Sequence, residues 1–207
     1  MRACLFAVSL ALSSLWSGSA SSQSPTIPEM LAKAGTPLTL NLDVPSGPAP
    51  SVDQLLETTD VVVRGVVEAP RSYMSPDERD VWTDYVIRNP RILYQSSPDL
   101  SHKPGTTAAF TVTIYGGAIE INGLAFKSDH AALPLLTAGQ EYLLLLQQRD
   151  RKYFIAERYF GAFRVANGSV EPSTKKNGFA EGYKGQPVAD VEAALVAKAK
   201  RAHRAKR

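Results

Sequence analysis

Chemistry needs side chains that converge, and this chain of 207 residues supplies few of them. Three histidines occur: His102 in a Ser/Pro/Lys stretch, His130 after Ser128-Asp129, and His203 near the C-terminus. A Ser–His–Asp hydrolase needs its groups to meet in space, and neighbours on an extended chain diverge. Ser128, Asp129 and His130 therefore read more simply as a polar loop, and no Gly-x-Ser-x-Gly elbow accompanies them. Glycosidase chemistry uses two carboxylates across a bond, and Glu68, Glu120, Glu141 and Glu157 all fall near expected strand ends. Carboxylates at strand ends are ordinary barrel features, so no catalytic residue is assigned. An extracellular hydrolase acting on a polymer through those carboxylates, or through Ser128/His130, stands as the alternative reading. Asp77, Glu78, Asp80 and Asp84 lack calcium-loop spacing and no histidine pair could seed a zinc site, so neither a metal nor a cofactor is expected. Neither Gly116-Gly117 nor the 178–185 region has the strand–glycine–helix setting of a phosphate loop.

Recognition by aromatic side chains has better material. Trp82, Tyr85, Arg88, Arg91 and Tyr94 fall within one expected strand and could line one side of it as a binding surface. The plainer reading packs Trp82 and Tyr94 into the core or rim and leaves the arginines to solvate the outer face.

Where these residues operate is set by the two ends of the chain. Met1-Arg2, an apolar stretch over Ala3–Trp16 and small residues at Gly18-Ser19-Ala20 form the pattern of a signal peptide cut after Ala20. Its loss would take the single cysteine, Cys4, with it, leaving no disulfide and no thiol chemistry. The expected location is secreted or periplasmic, with no transmembrane segment. The formal charge of +3 is unevenly spread. Arg2 lies in the leader and six of the 23 basic residues lie in Lys198–Arg207, leaving 16 basic against 18 acidic side chains in residues 21–185. A nearly neutral body argues against nucleic-acid binding, while the basic tail Lys198–Arg207 suits contact with an anionic surface.

The elements that must carry these residues are mostly strands. Gly139–Gln148 holds five consecutive apolar or aromatic residues, Tyr142–Leu146, with no alternation. Such a run predicts a strand covered on both faces, Leu143 and Leu145 on one side and Tyr142, Leu144 and Leu146 on the other, one set in a barrel and one beneath a helix. Val61–Val67 is β-branched nearly throughout, and Gly65 marks a bulge or bend. Asp80–Tyr94 reads as a long strand broken at Asn89-Pro90. Thr107–Tyr115 alternates cleanly. Asn122-Gly123 and Asn167-Gly168 predict tight hairpins and Arg149-Asp150-Arg151 a charged one. Helical signals are fewer. Pro28 opens a short helix to Lys33, Ser51 and Gln54 form a capping box, and Pro187 opens a helix striped by Val188, Val191, Leu195 and Ala199. Leu38, Leu40 and Leu42 suit a short edge strand, Ala69–Arg79 a polar loop, and everything past Ala199 projects into water. The total is six or seven strands.

The expected division is a signal peptide over 1–20, an extended segment and Pro-rich linker over 21–50, a barrel over 51–185, and a C-terminal helix with its tail over 186–207. The fold class is mostly β: a small closed or curled barrel with accessory helices, including a C-terminal one.

Two segments carry a resemblance: Thr59-Asp60-Val61-Val62-Val63-Arg64-Gly65-Val66-Val67 and Gly139-Gln140-Glu141-Tyr142-Leu143-Leu144-Leu145-Leu146. Their order, around a helix turn and a long strand, is similar to netrin-module and metalloproteinase-inhibitor-like domains, in the form of uncharacterised secreted bacterial proteins. The similarity covers about residues 51–171 and implies an OB-like five-stranded barrel with helices beside it. Those inhibitors reach the protease metal through an N-terminal cysteine, and residues 21–207 contain no cysteine. Inhibition by that route does not carry over. The expected role is an exported, non-enzymatic binding or accessory module for an extracellular or envelope protein partner.

Overall fold

Glu141–Arg149 is the strand on which the domain closes. The computed structural model describes residues 24–41, 50–97, 110–129, 136–157, 160–173 and 182–204. The expected leader, most of the Pro-rich linker, His102 and His130 lie outside them. In chain order the elements are α1 (Ile27–Ala34), β1 (Leu38–Asn41), α2 (Val52–Glu57), β2 (Val61–Val67), β3 (Arg71–Met74), β4 (Val81–Gln95) and β5 (Phe110–Tyr115). They continue with β6 (Gly117–Ile121), β7 (Leu124–Asp129), β8 (Glu141–Arg149), β9 (Lys152–Ile155), β10 (Ala162–Ala166), β11 (Ser169–Pro172) and α3 (Val188–Arg204). The described residues thus hold eleven strands, more than the six or seven expected.

Five strands form a closed barrel: β8 pairs with β2, β2 with β4, β4 with β5, β5 with β9, and β9 returns to β8. Every pairing is antiparallel except β5 with β9, which is parallel. β10 and β11 extend the sheet from the far edge of β8. A separate sheet, β1–β7–β6, has α1 against it, and Phe126 packs there with Ile27, Leu31 and Val81.

Both faces of β8 are buried, as its unbroken apolar run predicts. Tyr142, Leu144 and Leu146 point into the barrel among Val61, Val63, Tyr85, Ile87 and Phe110. Leu143 and Leu145 point outward beneath Leu55, Leu56, Val191 and Leu195. Both helices cover that side together. The Ser51 capping box forms as read: Gln54 N–H donates to Ser51 Oγ and Ser51 N–H to the Gln54 side chain. The Asn122-Gly123 and Asn167-Gly168 turns have both residues at positive φ, the geometry that follows the twist of the flanking strands.

The register of β2 on β4 shifts at two places, between Arg64 and Val66 and between Val62 and Val63. At the first, Asn89 takes φ 50°. Gly65 is needed there for space, because a Cβ would sit 2.4 Å from the Ile87 side chain and 3.0 Å from the Arg88 carbonyl oxygen. Each extra residue reverses which side chains face inward.

Two expectations are corrected. Ala69–Arg79 is not simply a polar loop, since Arg71–Met74 forms β3 and pairs only with β4. The chain beyond Ala199 does not leave the domain at once, because α3 runs on to Arg204. His203 holds it there, with Nε2 3.0 Å from the Thr59 carbonyl oxygen and its ring 5.8 Å from that of Tyr94.

Tyr85 makes the barrel interior sensitive to alkali. Burial, and after it the charge of Tyr142, pushes its phenol up to about 12, whereas an unfolded tyrosine titrates near ~10. The folded state therefore holds this proton more tightly. Its contribution to stability is complete below about pH 10 and is lost as the pH rises towards about 12. Urea unfolding between pH 9 and 12 should show a midpoint that falls more steeply for the natural chain than for Tyr85→Phe, and equal slopes would refute the assignment.

Candidate functional site

The barrel has two outer sides of opposite character. On one, α2 and α3 cover β2 and β8. Ion pairs fix α3 in register there. Arg64 on β2 grips Glu141 with two bonds, Nε to Oε1 at 2.7 Å and Nη2 to Oε2 at 2.9 Å. Its Nη1 reaches Glu192 of α3 at 3.1 Å, and Arg91 of β4 takes the other Glu192 oxygen. The Glu192 side chain is only 8% exposed, and the two guanidiniums offset the cost of taking it from water. The hydrogen bonds that Arg64 donates to Glu141, reinforced by that to Glu192, raise the Arg64 pKa above its ordinary value.

The other side has no helix over it among the described residues. It is formed by β3, the first half of β4, β5 and β9, and alternation decides what it shows. Val81, Tyr85 and Ile87 point inward, so Trp82, Asp84, Val86 and Arg88 point out. Register then sets Tyr73 beside Trp82, and Trp82 beside Tyr115. The next row is Arg71, Asp84, Thr113 and Phe154. Outward positions on an uncovered strand are ordinarily polar, yet here four aromatic rings gather.

Trp82 is the hub. Its ring meets those of Tyr73, Tyr115 and Phe154 at 6.1, 6.2 and 6.3 Å, each close to perpendicular, the edge-to-face arrangement that suits aromatic quadrupoles. Tyr115 and Phe154 stack on each other at 5.4 Å. Lys152, at the start of β9, swings its ammonium over Trp82 at 4.7 Å and Tyr73 at 4.9 Å. The same ammonium donates to the Tyr73 hydroxyl at 2.5 Å, which donates to Asp84 Oδ1 at 3.0 Å; Thr113 Oγ1 donates to that oxygen at 2.6 Å. Each ring but Phe154 is partly open to solvent.

The five residues expected to line one surface are divided by this geometry. Trp82 and Arg88 share the open face. Tyr85 is 2% exposed inside the barrel, and Tyr94, 9% exposed, lies in the helix-covered core. Arg91 is bound to Glu192. In their place Tyr73, Tyr115, Phe154 and Lys152 join Trp82. They come from three other strands, and only the Trp82 member was visible in the sequence.

The hydrolytic residues stay apart in role. Glu141 is committed to Arg64, Glu120 is exposed on β6, and Glu157 follows β9 with φ 47°. Ser128 sits on the central strand of the small sheet, buried, its hydroxyl without a hydrogen-bond partner among the described residues. Among the described residues no three His, Cys, Asp or Glu side chains cluster to hold a metal, and no helix is long and apolar enough to cross a membrane. A cleft of about 460 Å³ between α2 and α3 is lined by Asp53, Glu57, Lys198 and Arg201, acids facing bases, with Lys198 Nζ 3.8 Å from Asp53. No family model matches the chain, and no curated protein matches it.

Proposed function

We propose that this chain is an exported, non-enzymatic binding module, and that the open strand face around Trp82 holds its partner, an extracellular or envelope protein. The observation that carries the reading is the gathering of Tyr73 from β3 with Trp82, Tyr115 and Phe154 from three barrel strands, on a face with no described element over it. Trp and Tyr combine large contact area with a polar tip, which is why they dominate the energetic centres of interfaces.

Connectivity supports the same placement. Numbering only the barrel strands, the order is first, second, third, fifth, fourth, with third and fifth parallel, and we read it as an OB barrel of the netrin-like kind. OB barrels take ligands on the face of their second and third strands, framed by the loops joining first to second and fourth to fifth. Trp82 and Tyr115 lie on those two strands. Tyr73 comes from the first of those connections, and Lys152 immediately follows the second. The basic end of α3, with Lys200, Arg201 and Arg204 exposed, suits a secondary contact with an anionic surface.

The test is a quantitative pull-down from envelope extract of the source organism with residues 21–207 as bait. A saturable partner should appear, and Tyr73→Ala with Trp82→Ala should weaken its capture by roughly 30-fold or more, the loss expected when interface anchors are truncated. Far-UV circular dichroism should stay unchanged. Absence of any saturable partner, or equal capture by the folded double variant, overturns the reading.

A further inference from the structure

Cations on the two sides of the barrel are treated differently. On the helix-covered side Arg64 and Arg91 hold Glu192 and Glu141, and on β10 Arg164 holds Glu171. On the open side, Arg71, Lys152 and Arg149 point outward from β3, β9 and β8, with Arg88 further along β4. None of the four has a carboxylate partner among the described residues. Lys152 has a hydroxyl and two ring faces, and Arg149 has only the Gln147 amide. On this face Asp84 accepts from two hydroxyls, and the exposed Glu68 follows β2 with its N–H on the Val86 carbonyl. A body that is nearly neutral over residues 21–185 thus turns four unpaired cations to one side.

The rings narrow what those cations are for. Stacking of a nucleobase, or of the flat face of a sugar, requires an open aromatic plane. Here Tyr115 and Phe154 cover each other, and Lys152 stands over Trp82. What the face offers instead is ring edges, hydroxyls and forked or point cations, the composition of a protein interface built to meet carboxylates.

We infer that the open face takes an acidic segment of a partner protein, with Lys152, Arg71 and Arg149 meeting its Asp and Glu side chains around the aromatic centre. The inference rests on the reading of this face as the binding surface. Binding would bring a carboxylate to Lys152, whose ammonium has none, and would finish covering the Trp82 ring. Association would then be steered by charge and weakened by salt.

Trp82 is the only tryptophan in residues 21–207, so its emission reports this face alone. Poly-L-glutamate, polygalacturonate and oligothymidylate, compared at equal charge concentration, are the probes. Poly-L-glutamate should shift Trp82 emission with saturation and lose at least tenfold in affinity between 50 and 300 mM salt. Lys152→Met with Arg71→Gln should lose at least tenfold as well, while a double variant of the tail, Lys200→Gln with Arg204→Gln, should not. No response to poly-L-glutamate, a response confined to polygalacturonate or oligothymidylate, or equal binding by the Lys152/Arg71 variant each overturns the acidic-protein assignment. Failure of the binding face itself is read separately: capture from extract then survives Tyr73→Ala with Trp82→Ala. If capture is lost in that pair but unchanged in Lys152→Met with Arg71→Gln, the face stands and the acidic partner falls.

Discussion

Leu144→Asp should yield a chain with no cooperative thermal transition. Leu144 is fully buried in the barrel with Val61, Val63, Phe110, Tyr153 and Ile155 around it, and among the described residues no buried side chain is a cation. A carboxylate placed there loses water and gains no partner. The cost is about 4 kcal/mol or more, set against a total stability of about 5–15 kcal/mol for an ordinary domain. Leu144→Ala separates charge from volume. It creates a cavity at a cost of about 2–5 kcal/mol, so its melting transition should persist at a lower temperature. A folded Leu144→Asp chain with unchanged thermal stability would refute this account of the barrel.

The second large effect is expected from a single methyl group. Gly161 precedes β10 at the point where three segments meet on Leu145. Leu145 N–H donates to the Gly161 carbonyl at 2.7 Å, Ala156 N–H donates to the Leu145 carbonyl at 2.8 Å, and Gly161 N–H returns to the Ala156 carbonyl at 3.3 Å. A Cβ on residue 161 would lie 2.5 Å from the Leu145 carbonyl oxygen and 3.1 Å from the Leu145 Cβ. Both obstacles belong to the central strand, which cannot swing aside as a flexible side-chain tip would. Gly161→Ala should therefore cost about 2–3 kcal/mol, a melting shift of roughly 5–10 °C for a chain of this size. Amide exchange at Leu145 and Ala156 should accelerate more than at Val61. A variant that melts as the natural chain does would show that this junction relaxes freely.

Strand burial and hairpin chemistry are legible in the residues because both are local. The unbroken run Tyr142–Leu146 can only mean cover on both faces, and the Asn-Gly pairs supply the positive φ that tight hairpins need. The capping box at Ser51 is equally local. β3 escaped because Arg71-Ser72-Tyr73-Met74 is short, mostly polar at first sight and stabilised by one neighbour. The aromatic face escaped for a different reason. Its rings are joined by cross-strand register, so residues as far apart as Tyr73 and Phe154 become neighbours although nothing near either announces the other. Tyr85 leaves that face by alternation alone, an odd number of positions from Trp82, and Tyr94, although outward, by where β4 has travelled. Strand alternation runs true from Val81 to Arg88, then the extra residues at Asn89-Pro90 and near Leu93 reverse it twice. By then β4 has also passed from open surface to the shelter of α3.

Closure of β8 has a consequence for the order in which the domain can be completed. Its outward leucines share a cluster with Val188, Val191, Leu195 and Ala199, all in the last helix. During synthesis from the N-terminus, every barrel strand exists before that helix does. Leu143 and Leu145 then keep only the part of their cover that Leu55, Leu56 and Phe163 supply until the final turns appear, and Glu192 cannot neutralise Arg64 and Arg91 before that moment. The nascent barrel is therefore an open-sided intermediate with an exposed apolar stripe, the kind of surface that chaperones and aggregation compete for. Truncation ahead of Val188 would freeze the chain at that stage.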